Sequence, residues 1–84
     1  MQINEVWSIS FERLDAFFRS QADVCLTGDM RYSCGESECS VTVLPLRRVG
    51  SLRFPQCRVV FTGPEESTTA FYRRFYLHFL SAGG

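Results

Sequence analysis

Lysine is absent from this chain, and all nine of its basic residues are arginine. Arginine's planar fork suits carboxylate pairing, but the arginine codon bias of a GC-rich bacterial genome is the simpler expectation. The sequence is also poor in catalytic parts. It has one histidine, His78, and no Gly-x-Ser-x-Gly, His-Glu-x-x-His or glycine-rich phosphate loop. Those absences exclude the common hydrolase, zinc-protease and nucleotide-binding signatures. No apolar run approaches the ~20 residues a membrane span requires. The first residues, MQINEVWSIS, lack a basic region followed by an apolar run, so no secretory leader is read there. The expectation is a cytoplasmic protein whose thiols stay reduced.

Net charge is zero as well, with nine acids against nine arginines. This weakens a bulk nucleic-acid or anionic-membrane reading. The charges are nevertheless uneven. Residues 1–43 hold three arginines and seven acids, and residues 44–84 hold six arginines and two acids. Such polarity suits subunit steering or an anion site, unless folding interleaves the halves. Arg47, Arg48, Arg53 and Arg58 are the candidate anion-binding set.

What the chain has in quantity is aromatic side chains: eight Phe, three Tyr and one Trp in 84 residues. That supplies the dense core a domain of this size needs, and one domain over 1–84 is expected. Segment 10–22 predicts a helix, with Ser10 as N-cap and Phe11, Leu14, Phe17, Phe18 and Ala22 on one side. Residues 5–11 alternate as a short optional strand. Val24–Thr27 and Met30–Cys34 flank Gly28-Asp29, which reads as a tight turn or as a bulge in one longer strand. Glu38–Leu46 and Leu52–Thr62 are strand-like, the latter with Pro55 at an edge or bulge. Gly63-Pro64-Glu65-Glu66 opens a second helix that runs to about Ser81, before Gly83-Gly84. The expected fold is a two-layer α+β sandwich of order (β)αβββα: a three-stranded antiparallel meander with both helices on one face.

The four cysteines allow three readings. With Gly35-Glu36-Ser37-Glu38 as a four-residue hairpin loop, Cys34 and Cys39 stand opposite each other and Cys57 lies a rung or two away on the same face. As buried residues they are small hydrophobes, the reading preferred here. As a thiolate zinc site, Cys34, Cys39 and Cys57 need a fourth ligand from Cys25 or His78, and no Cys-x2-Cys pair supports it. As a redox pair, Cys34 and Cys39 close a cross-strand disulfide. A Cys57–His78 nucleophile pair has nothing in its favour beyond the presence of both residues.

The second helix is apolar nearly all round. Phe71, Tyr72, Phe75, His78 and Phe79 form one stripe, while Tyr76, Leu77 and Leu80 fall on the far side with Arg73. That outer ridge is the predicted interface of a homodimer. The functional expectation is a small non-catalytic interaction or adaptor module, with no cofactor, no membrane contact and an unknown protein partner. The alternatives are the thiolate metal or redox site and a weak anion or nucleic-acid binder.

Overall fold

The computed structural model describes residues 1–81. Seven elements follow one another: β1 (Gln2–Trp7), α1 (Phe11–Ser20), β2 (Val24–Gly28), β3 (Arg31–Cys34), β4 (Ser37–Val49), β5 (Leu52–Thr62) and α2 (Glu65–Ser81). The class is α+β, as the sequence predicts, and an N-terminal strand is present, but over Gln2–Trp7 rather than 5–11, with Ser10 capping and Phe11 opening α1. Five strands form one sheet in the order β1-β5-β4-β3-β2, every neighbouring pair antiparallel.

The strand count exceeds the predicted three because the chain turns back at Gly28-Asp29-Met30. Thr27 is an extra residue in the ladder, and Met30 takes a left-handed backbone with φ 58°. Few side chains other than glycine accept that conformation, which is why the sequence left turn and bulge undecided.

Ser10 caps α1 as expected, its hydroxyl accepting from the Arg13 N–H. Leu14, Phe17 and Phe18 are buried on α1, and Phe71, Phe75 and Phe79 on α2. The two aromatic sets meet on one face of the sheet. The Phe18 ring stacks on Tyr32 at 4.4 Å and lies 6.1 Å from Phe75. Ile9, Cys39, Val41, Cys57, Val59 and Phe61 complete one contiguous core with them. The Phe18, Tyr32 and Phe75 rings stack, while Phe71 meets both Phe18 and Phe61 edge to face, the two arrangements aromatic pairs prefer. Ala22, assigned to the helical stripe from the sequence, lies beyond the end of α1 and is exposed.

The opposite sheet face is mainly polar, with Val6 exposed among polar side chains. Gln2, Asn4, Glu38, Thr42 and Arg58 are exposed there, and Arg58 Nη1 donates to Asn4 Oδ1 at 2.8 Å across β5 and β1. Among the described residues no helix is long and apolar enough to cross a membrane.

The molecule is elongated, 42 × 26 × 24 Å, and the pairing explains why. β1 accompanies β5 only as far as Trp7 and Cys57, and β3 accompanies β4 only over Ser37–Ser40. Beyond those points β4 and β5 continue alone as a two-stranded ribbon closed by Gly50. The ribbon begins at a register shift where Pro45-Leu46 faces Pro55. Proline cannot donate to a ladder, so both prolines sit where pairing is already broken.

Candidate functional site

The thiols do not assemble. The loop between β3 and β4 contains two residues, Gly35 and Glu36, with Gly35 at φ 59°. A two-residue hairpin takes glycine at its first central position in the type II′ geometry. Reading Gly35-Glu36-Ser37-Glu38 as the loop placed the register two residues out. Cys34 therefore faces Ser37, and Cys39 faces Tyr32. On the other side Cys39 pairs with Phe61 while Cys57 pairs with Val43. Four residues along β5 separate the two positions, ~13 Å. Cys34, Cys39 and Cys57 do share the helix-facing side, but as separate residues. Among the described residues no group of three or more His, Cys, Asp or Glu converges on a metal-sized site.

Each thiol has its own surroundings. Cys39 is buried, and loss of solvent pushes its pKa up to about 12. Burial raises Cys57 too, helped by the carboxylate of Glu12. Cys34 is half-buried beside Arg74, whose Nη2 lies 2.9 Å from its sulfur. Desolvation nevertheless pushes this thiol upward, against the pull of that guanidinium. Arg74 is already engaged by Asp23, which accepts from both of its terminal nitrogens at 3.0 and 3.1 Å. The fork ties α2 to the segment before β2, a fixed bidentate pair rather than an activating cation. The sequence offered no sign of it, since the partners are 51 residues apart.

His78, expected at the margin of the core stripe, is exposed, with its ring 4.6 Å from that of Phe17. Cys57 lies on β5, where it lines a groove with Phe11 and Glu12 at the start of α1.

On the outer side of α2, Arg73, Tyr76, Leu77 and Leu80 are all exposed, Leu77 by 51% and Leu80 by 56%. Tyr76 is drawn inward at one edge, where its ring meets that of Trp7 at 5.9 Å. Trp7 in turn donates from Nε1 to Glu5 Oε1 at 3.0 Å, and the Tyr72 hydroxyl donates to the same oxygen at 2.8 Å. The ridge therefore stands on an ordered base of β1 and α2 rings.

The larger exposed apolar surface lies elsewhere, on the ribbon. Val43, Leu46, Val49, Leu52 and Phe54 are all exposed, Leu52 by 59%. Three of the four candidate anion-binding arginines are here, but they divide between faces. Arg47 pairs with Phe54 on the side continuous with the polar sheet face, while Arg48 pairs with Arg53 on the helix side. Arg58 lies in the body of the sheet, held by Asn4. No single exposed face gathers all four.

At the ribbon's base, where it meets the start of α1, is an open groove of ≈390 Å³. Phe11, Met30, Val43, Leu46, Pro55 and Cys57 line it, with Glu12 on its wall. A neighbouring depression of ≈320 Å³ shares Phe11 and Met30 and adds Leu26 and Asp29. The sequence reading missed this groove because its residues come from four separate segments and none is unusual alone.

A family model described as archaeal MoaD-like protein matches residues 3–84, nearly the whole chain, and the chain belongs to that family. Its archaeal description lends no support to a bacterial origin. No curated protein matches the sequence.

Proposed function

We propose that this member of the archaeal MoaD-like family acts by docking, as a non-catalytic interaction or adaptor module. The observation carrying this reading is the contrast between its chemistry and its surface. Cys34, Cys39 and Cys57 are dispersed and their pKa values pushed up, whereas apolar side chains are concentrated on two exposed features, the α2 ridge and the β4–β5 ribbon. Exposed apolar patches of this kind mark contact surfaces.

The α2 ridge supports self-association of the kind expected from the sequence. Leu77 and Leu80 supply the apolar contact, Tyr76 a ring braced by Trp7, and Arg73 a charge at the rim. Tyrosine and arginine are enriched at such contacts. The test is sedimentation velocity of the wild type and of the Leu77→Ser/Leu80→Ser variant across a concentration series. A shift toward monomer in the variant supports the ridge as the interface. An unchanged distribution removes it.

A further inference from the structure

We propose that the β4–β5 ribbon is an exchange arm: the arm of one copy lies in the groove at the base of a second copy's arm, and the reverse. This goes beyond the docking reading above by adding a second self-contact, on a surface independent of the α2 ridge.

Three observations converge. The first is that the ribbon is incomplete alone. From Leu44 to Gly50 it runs seven residues, roughly 23 Å at strand rise, and no other described strand pairs with either edge. Two-stranded ribbons are marginal in water and become firm when a third strand or a packed face is added. On the groove side, beside Arg48 and Arg53, Leu46 and Pro55 present apolar surface for that packing, while Val49, Leu52 and Phe54 lie on the other face.

The second is charge. Residues 43–58 carry four arginines and no acid. Arg48 and Arg53 are direct cross-strand partners, and like charges so placed repel. The only ion pairs among the described residues are Arg19–Asp15 and Arg74–Asp23. Among the described residues, Arg47, Arg48 and Arg53 on the arm therefore have no acidic partner in an ion pair, and Glu12 on the groove wall and Asp29 beside it have no basic one. An apolar, basic arm and an apolar, acid-rimmed groove are complementary, and one chain carries both.

The third is geometry. A two-fold axis through the middle of two antiparallel arms sets each tip at the other's base, whatever the arm length. Such a contact is closed and self-complementary. Met30, at the turn between β2 and β3, lines the groove as an exposed apolar side chain.

The test is sedimentation velocity in a charge-swap series, with circular dichroism confirming that each variant folds. The series holds the wild type, Arg48→Glu/Arg53→Glu, Glu12→Arg/Asp29→Arg, the four changes combined, and Leu77→Ser/Leu80→Ser. The expected result is a dimer that each double reversal weakens by about tenfold or more, since opposed like charges cost several kcal/mol. The combined variant should recover most of the loss, and the α2 variant should keep the arm contact while losing the contact through the ridge. A dimer lost only in the α2 variant overturns the arm and leaves the ridge reading standing. Reversals without effect, or a combined variant that does not recover, overturn the arm. A monomeric wild type overturns both surfaces as self-contacts.

Discussion

Arg48 and Arg53 face each other across the β4–β5 ladder, near the tip of a ribbon that no other described strand pairs. Their repulsion should lower the stability of the isolated chain. Arg53→Glu turns the pair into an attraction worth about 0.2–1 kcal/mol. The prediction is a pair of effects with opposite sign: slightly higher thermal stability at monomeric dilution, and weaker self-association at high concentration. Melting curves at the two concentrations check both.

Gly63 and Gly50 both have positive φ, but for different reasons. At Gly63, φ is 140° and an added Cβ would lie 2.9 Å from the Glu36 carbonyl oxygen and from Thr68 Oγ1. The turn into α2 is pressed there against the β3–β4 hairpin. At Gly50, φ is 62° and the surrounding space is open. Gly50→Ala should cost about 1–2 kcal/mol, the ordinary left-handed penalty. Gly63→Ala should cost clearly more, because backbone must move as well. Urea unfolding of the two variants side by side checks the order.

Thiol labelling should separate the four cysteines. Cys25 is exposed and should react first at pH 8. Cys39, its pKa pushed up to about 12, and Cys57 are both buried and should label only on unfolding. Cys34 should be slow, its thiol raised by desolvation. Mass spectrometry after timed alkylation gives the order. Fast labelling of Cys39 would contradict the packing described.

Much of this was legible from the sequence, where local signals decide the outcome. Ser10 as a cap, the Leu14–Phe17–Phe18 stripe and the Pro64 start of α2 rest on helical periodicity and first-turn chemistry, and they appear where expected. The α2 stripe was visible for the same reason. What failed depended on register. Counting four loop residues instead of two after Cys34 moved Cys39 from opposite Tyr32 to opposite Cys34, and with that shift came the suggestion of a thiol cluster. The groove and the Arg74–Asp23 fork join distant segments, which no local pattern encodes. The ribbon's strands were read correctly as strands. Their isolation was not, because it follows from where β1 and β3 stop.

The acid limb should show the contact between α1 and β3. The Tyr32 hydroxyl donates to Asp15 Oδ1 at 2.6 Å, and this bond is the main cause holding the Asp15 carboxyl below its usual 3.8, with Arg19 adding to it. A depressed carboxyl contributes stability above its unfolded value and loses it as pH falls through the folded one. The loss therefore begins below about pH 4. Asp15→Asn removes the titration while leaving an acceptor for Tyr32. Its stability should be lower than wild type at neutral pH and fall less steeply in acid. On the alkaline side, burial and the bond to Glu5 raise Tyr72 to about 12. Its contribution holds below about pH 10 and is lost as pH rises towards 12. Denaturant unfolding from pH 2 to 11 measures both limbs.

The most direct test of the account is native mass spectrometry of the full chain purified under reducing conditions. A docking module that self-associates predicts a species at twice the 9.6 kDa chain mass, with no metal added to it and with a proportion that falls as salt is raised. A monomer at all concentrations and salts, or a monomer carrying one zinc, would contradict it.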